Sequence, residues 1–273
     1  MIVSVNGAEL FYSTRGTGVP ILVPCILGVK LYERLTLPPL SGRFQFVYVD
    51  LRGGGKSTGD PADLTFDVLA SDLEAVRADL KVDHVAVLGY SIVGVLALEY
   101  GRRCPESVSH VIIAGTPPSG DIPNMVAKST SFFEQHASEE RKAILRENMA
   151  RLPPGTPPTQ AIFAQTPMRF FDPTFDAVPL FAEADFKPRL FEHVLGALTA
   201  QWDVTADSTS LQVPILIAHG RHDYVAPHTM WDGIADTLPN ATLHLFERSG
   251  HQPFFEEPER FADVVVEWMA QRI

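Results

Sequence analysis

The chain has 273 residues, of which 45% are apolar, 20% charged and 10% aromatic, with a formal net charge of −11. That length and apolar fraction suit one large mixed domain with a sizeable core and exclude a wholly disordered chain. The acidic balance disfavours phosphate backbones and anionic membranes, and no Lys/Arg cluster overrides it locally, so neither nucleic acid nor membrane is expected as a partner.

The N-terminal residues Met1 to Asn6 show no basic region followed by an apolar core, and no apolar run approaches the ~18 residues of a membrane span. Only two cysteines occur, Cys25 and Cys104, each near an element boundary. A reduced, cytoplasmic protein is the expectation.

Taken in chain order, residues 2–5 and 9–14 read as strands around Asn6-Gly7, a dipeptide whose tolerance of positive φ favours a two-residue hairpin turn. Residues 21–24 and 44–50 read as further strands. Residues 65–81 read as a helix, because Phe66, Leu69, Leu73, Val76 and Leu80 step by three and four and so form one stripe. Residues 85–89 form a continuous apolar run, as expected of a strand covered on both faces. A helix over 92–104 follows, stopped by Pro105.

Residues 111–114 and 215–218 are two more buried strands. The pattern predicts a helix over 226–238, a last strand over 241–246 and a closing helix over 259–273 with Phe261, Val264, Val265 and Trp268 on one face. Strands alternating with helices imply an α/β fold with a mostly parallel central sheet flanked by helices. Residues 117–207 break the alternation. They hold 11 of the 22 prolines and 9 of the 17 phenylalanines, and their helical patches at 139–151 and 187–202 are separated by prolines. They read as an inserted helical cap, with 1–116 and 208–273 forming the core.

The chemistry concentrates at three strand ends. Val85 to Gly89 runs straight into Tyr90-Ser91 and a helix. A strand, Gly-x-Ser and a helix in direct succession force a sharp turn. The turn lifts the serine hydroxyl above the carboxyl edge of the sheet and aims the helix N-terminus at whatever it attacks. A serine that merely caps a helix is the bland alternative. Gly-x-Ser-x-Gly asks for glycine at 93, where Val93 stands with Gly94 next, and a β-branched residue there is expected to crowd the helix against the sheet. Pro214 to Gly220 leads to Asp223 on the following loop, and Ser249-Gly250-His251 follows the last strand. Serine, acid and histidine thus come in that order, each on a loop after a strand. His251 is the expected general base, Asp223 the group that orients it, and the rate should rise with pH as the imidazole loses its proton.

With these residues in place the chain resembles the α/β-hydrolase superfamily over nearly its whole length. Asp50-Leu51-Arg52-Gly53-Gly54-Gly55-Lys56-Ser57 is similar to the D-x-R-G-x-G-x-S turn of many members, and Phe255 to Phe261 to the segment after their catalytic histidine. Gly55-Lys56-Ser57 is not a P-loop, because position 50 is Asp where that motif needs Gly. The resemblance implies a Ser91, Asp223, His251 triad and an oxyanion hole. One N–H of that hole belongs to Ile92. The other belongs to the residue after a His-Gly dipeptide, here replaced by Pro24-Cys25, which makes Ile26 the second donor and Leu27 the alternative. The bracing histidine of that loop is absent. The remaining histidines form no H-x-H or H-E-x-x-H set, so no metal and no cofactor is expected. His222 is expected to be solvated.

Acyl transfer to water on an uncharged, apolar ester or lactone is the leading function. Relatives that act as epoxide hydrolases or dehalogenases carry Asp at the nucleophile, which Ser91 argues against. Gly115-Thr116-Pro117-Pro118 resembles a turn of acyl-homoserine lactonases in this superfamily. The cap phenylalanines (Phe132, Phe133, Phe163, Phe170, Phe171, Phe175, Phe181, Phe186 and Phe191) are expected to form the cap's own core, with a few facing Ser91. A non-hydrolytic small-molecule receptor of the same fold is the alternative from another class. Natural substrate and oligomeric state are not legible.

Overall fold

The computed structural model describes residues 1–156, 161–162 and 164–271. Eight strands, β1 (Ile2–Val5), β2 (Ala8–Arg15), β3 (Val19–Cys25), β4 (Phe44–Asp50), β5 (Val85–Tyr90), β6 (Val108–Ala114), β7 (Ile215–Gly220) and β8 (Ala241–Phe246), join one sheet in the order β1-β2-β4-β3-β5-β6-β7-β8. The pairs β1/β2 and β2/β4 are antiparallel and the rest parallel. Val5 pairs with Ala8 across Asn6 and Gly7, both at positive φ (45° and 77°), so the hairpin is the two-residue turn that Asn-Gly favours.

Every residue of β5 and β7 is buried, because helices cover both faces of the sheet. Each fully buried Val, Leu or Ile there contributes about 1.5–3 kcal/mol relative to exposure. Helix α1 (Val29–Leu35) follows β3. Helix α2 (Phe66–Asp79) starts where the Thr65 hydroxyl accepts from the Val68 N–H, and buries Leu69, Leu73 and Val76 on one stripe. Helix α3 (Val93–Arg103) packs between β5 and β6, and α4 (Pro258–Ala270) closes the chain with Phe261, Val264, Val265 and Trp268 buried. Residues 272–273 of the expected closing helix lie outside the described residues.

Strand order reverses between β3 and β5: the chain steps from β3 outward to β4 and returns on the other side of β3 with β5. Loops after adjacent strands on opposite sides of such a switch point open a crevice at the carboxyl edge. The Ile26 loop and Ser91 flank it.

Between β6 and β7 the chain is helical, with α-helices at Ile122–His136, Glu139–Ala150, Thr166–Arg169, Val178–Phe181 and Pro188–His193. Among the described residues it adds no strand to the sheet. An isolated bridge between Ser119 and Asp203 pairs its two ends at its base.

Two expected helices are not formed as expected. The segment 187–202 is helical only to His193. It then widens into a π-turn over Val194–Leu198, where the Thr199 N–H and hydroxyl both bond the Val194 carbonyl. The segment 226–238 is no α-helix but two 3₁₀ turns, His228–Trp231 and Ala235–Thr237. Gly233 between them takes φ 72°, which ends a right-handed helix. Trp231, fully buried, donates its indole N–H to the Thr116 carbonyl at 2.8 Å, an anchor the helical pattern gave no sign of.

Candidate active site

Ser91 sits directly after β5 at φ 56°, a left-handed conformation that costs a non-glycine residue about 1–3 kcal/mol. Its N–H bonds the Ala114 carbonyl at 2.8 Å, and its own carbonyl accepts from Gly94 at 2.9 Å, which closes the turn into α3. A Cβ on Gly89 would stand 2.4 Å from the Gly94 Cα, and one on Gly94 would strike the Thr116 side chain. The close crossing of strand and helix therefore falls on Gly94. Val93 packs into the core instead, and the crowding expected of it does not arise.

The structure brings Ser91, Asp223 and His251 together. His251 Nε2 lies 3.0 Å from Ser91 Oγ and its Nδ1 2.8 Å from Asp223 Oδ2. These contacts fit an Nδ1–H tautomer that donates to the carboxylate and leaves Nε2 to accept from the serine. Asp223 is fully buried. Its other oxygen accepts the Val225 and Ala226 N–H groups at 2.9 and 3.0 Å. Burial by itself would raise this carboxyl. His251 beside it, their hydrogen bond, His219 and the Ala226 N–H outweigh burial and hold it below the ordinary carboxylate value.

Neighbouring residues brace the triad. Gly115, at φ 58°, leaves room for the imidazole: a Cβ there would stand 2.8 Å from His251 Nδ1. The His251 N–H donates to the Arg169 carbonyl at 2.6 Å. Glu256 accepts the Phe171 N–H at 2.6 Å and the Gly250 N–H at 2.8 Å, which ties the helical insertion to the histidine loop. Burial raises the Glu256 carboxyl to about 7 against these bonds. His219 is also fully buried, with Nε2 3.1 Å from the Thr116 carbonyl, and burial lowers it to about 4.

The loop after β3, where the oxyanion donors are expected, is braced in an unexpected way. Asp50 Oδ1 accepts the Val29 N–H at 2.8 Å and Oδ2 the Lys56 N–H at 2.8 Å, so the D-x-R-G turn holds the loop where the bracing histidine is missing. The Ile92 N–H stands at the N-terminus of α3 and takes no acceptor among the described residues. The Ile26 N–H faces the phenol of buried Tyr32, whose pKa is raised by burial and lowered by that N–H. Leu27 turns its carbonyl to the Asp185 N–H at 2.8 Å.

Sequence reasoning missed several of these residues. Asp50 and Thr116 stood in motifs already singled out, but their contacts did not. Tyr32 carried no pattern, because neither spacing nor periodicity links a residue of α1 to the triad. His222 is only partly solvated: it is half-buried with its ring edge-on to Phe171, centroids 5.0 Å apart. The phenylalanines mostly pack on their surroundings. Phe133 meets Tyr224, and Phe170 meets Phe175 and Phe255. Phe163 lies outside the described residues. Cys25 and Cys104 are both free. Among the described residues no cluster of His, Cys, Asp and Glu could hold a metal ion, and no helix is long and apolar enough to cross a membrane.

Comparison with known proteins agrees with this architecture. A family model described as the alpha/beta hydrolase fold matches residues 21–258. The AB hydrolase superfamily protein YclE of Bacillus subtilis is 31% identical, over 97% of each chain. A pimeloyl-[acyl-carrier protein] methyl ester esterase of Nitrosomonas europaea is 27% identical, over 93% of this chain and 97% of its own. Among solved structures, Est816, described as an N-acyl homoserine lactone degrading enzyme, superposes with a TM-score of 0.68 at 22% identity, over 98% of this chain and 99% of its own.

Proposed function

This chain belongs to the alpha/beta hydrolase fold family, and from that premise we propose that it is a serine hydrolase of carboxylic esters that works through an acyl-enzyme. The family and its esterase relatives make it a hydrolase. The bond it cleaves and the roles of its residues are our reading. One observation carries that reading: the unbroken relay from Ser91 Oγ through His251 to Asp223, with contacts of 3.0 and 2.8 Å.

In this mechanism His251 Nε2 takes the Ser91 proton as Oγ attacks the carbonyl carbon. Asp223 keeps the imidazole in the productive tautomer and stabilises the imidazolium that forms. The Ile92 and Ile26 N–H groups receive the oxyanion, the latter once substrate oxygen displaces the Tyr32 phenol. His251 then protonates the leaving alcohol, and a water activated by the same base releases the acid. Residues 117–207 act as the cap over the site, with an apolar lining that favours acyl chains, and the working compartment is the cytoplasm.

A lactone is the second substrate class, supported by the resemblance of Gly115 to Pro118 to a lactonase turn and by the activity described for Est816. Esters come first because that turn has structural work of its own: the Thr116 carbonyl accepts from Trp231 and lies against His219 Nε2.

The test is turnover of a p-nitrophenyl ester together with fluorophosphonate labelling mapped by mass spectrometry. Label on Ser91 and ester turnover are expected. A folded protein that binds esters without turnover or label would favour the receptor reading.

A further inference from the structure

The helical insertion carries a cation into the neighbourhood of the triad. Arg169 ends the short helix Thr166–Arg169, and its carbonyl is the acceptor for the His251 N–H at 2.6 Å. Its guanidinium lies beside the Tyr90 phenol, and the Tyr90 ring in turn stands 5.2 Å, centroid to centroid, from the His251 ring. The Arg169 Nε is buried and has no hydrogen-bond partner, and no ion pair joins this arginine to a carboxylate among the described residues.

Next to it, Gln252 follows His251 in the chain. Gln252 is fully buried, and both of its side-chain polar atoms lack a hydrogen-bond partner. Buried groups of this kind are almost always satisfied, and a guanidinium is the side chain best shaped to take a carboxylate on two parallel N–H bonds. Arg169 and Gln252 thus both lie against the Tyr90 phenol, whose ring packs on His251, and Arg169 Nε there is left without an acceptor. Arg169 and Ser91 both keep partial solvent access.

The nearby carboxylates are already engaged. Asp223 bonds His251 and two backbone N–H groups. Glu256 spends its two oxygens on the Phe171 and Gly250 N–H groups. Arg141 adds a second cation behind this segment, bonded to the carbonyls of Pro167, Phe170 and Phe171.

We propose that Arg169, with the Gln252 amide and the Tyr90 phenol, forms a carboxylate-binding subsite beside the triad, so that the preferred substrates are esters carrying a free carboxylate, such as half-esters of dicarboxylic acids or O-acyl hydroxy acids. This rests on the ester-hydrolase reading and replaces the uncharged substrate expected from sequence. The carboxylate pairs with Arg169, and the rest of the substrate lies along the apolar surface of the cap. A charged, hydrogen-bonded anchor of this type discriminates between charged and neutral analogues by roughly 10- to 100-fold.

The experiment measures kcat/KM for p-nitrophenyl half-esters of dicarboxylic acids, O-acyl hydroxy acids and neutral esters of matching length, in wild type, Arg169→Gln, Arg169→Lys and Gln252→Leu. Wild type should prefer one carboxylate-bearing series. Arg169→Gln should lower the charged-to-neutral ratio by roughly 10- to 100-fold, with partial recovery in Arg169→Lys and a smaller loss in Gln252→Leu. A brace for the histidine loop would instead lower both classes together and leave the ratio unchanged, which would overturn the proposal. So would a wild type that prefers neutral esters over both charged series.

Calorimetry on the Ser91→Ala protein, titrated with the free dicarboxylic acids, reads the subsite without turnover. Binding that weakens at least tenfold when Arg169→Gln is added supports the subsite even if no ester is cleaved. Ester turnover with no such binding overturns the subsite and leaves the ester-hydrolase reading standing. If Arg169→Gln fails to fold, the charged-to-neutral ratio in Gln252→Leu decides: an unchanged ratio overturns the proposal.

Discussion

The carboxyl edge of the sheet and the helical insertion above it hold their functional groups by different means. At the sheet edge, Ser91, Asp223 and His251 each leave a strand whose backbone is paired on the ladder, and backbone groups such as the Ala114 carbonyl and the Ala226 N–H fix the loops. In the insertion, short helices broken by prolines are tied down by side chains. Arg141 binds three carbonyls between Pro167 and Phe171, and Glu256 reaches up to the Phe171 N–H. A frame set by backbone pairing tolerates little displacement, whereas one set by a few side chains can be retuned by single substitutions. The first suits bond-making chemistry and the second suits substrate choice.

The most severe break in this contrast is at the sheet edge. Ser91→Ala should fold normally and lose at least ~1,000-fold in kcat/KM, because the nucleophile itself is gone. Asp223→Asn should lose at least ~100-fold through the wrong histidine tautomer. A folded Ser91→Ala that keeps a tenth of the activity, by steady-state assay against circular dichroism, would remove Ser91 from the mechanism.

Gly115→Ala tests how little displacement the edge accepts. Its new methyl would meet His251 2.6 Å from the carbonyl and 2.8 Å from Nδ1, at a φ that L-residues avoid. A shift of the imidazole by less than an ångström should lower kcat by roughly 10- to 100-fold. Unchanged kcat would show that the histidine loop is softer than its bonding implies.

The insertion should answer differently. Arg141→Met removes the donors to the carbonyls of Pro167, Phe170 and Phe171, and should cost about 1–3 kcal/mol of stability in urea unfolding. Because it loosens the segment that carries Arg169 and leaves the triad bonds in place, KM should rise more than kcat falls. A kcat loss as large as that of Gly115→Ala would erase the distinction between the two regions.

The smallest effect concerns pH, where a buried histidine of the sheet edge and the carboxyl that ties the insertion to it act in opposite senses. His219, lowered from 6.5 to about 4, binds fewer protons folded than unfolded, so its contribution is present above 6.5 and is lost as pH falls toward 4. Glu256, raised from 4.5 to about 7, keeps in the native state a proton that the unfolded chain has released. Its contribution is present below 4.5 and is lost as pH rises through 7. Across pH 4.5 to 6.5 the two slopes oppose each other in the wild type. Glu256→Gln should leave the rising slope, and His219→Gln the falling one. Urea unfolding over that range checks this, and slopes unchanged in both variants would show that neither group titrates as its burial implies.

Amino-acid order by itself determined the sheet, its buried strands and the three strand-end loops. Period, β-branched runs and turn residues are local properties, and Ser91, Asp223 and His251 stand at fixed offsets from them. Tertiary structure decided what local pattern cannot encode. At 226–238 a helical pattern yielded to the buried anchor of Trp231 on the Thr116 carbonyl and to Gly233 at positive φ. The role of Val93 reversed because the tight crossing fell on Gly94, and Asp50 stands in for the missing histidine as the brace of the loop after β3. Arg169 shows the limit most plainly. Its neighbours Tyr90, His251 and Gln252 lie about 80 residues away on either side, so nothing near it in the chain marks it. Only the fold, by laying the insertion over the sheet edge, sets its charge beside the Tyr90 ring that packs on His251.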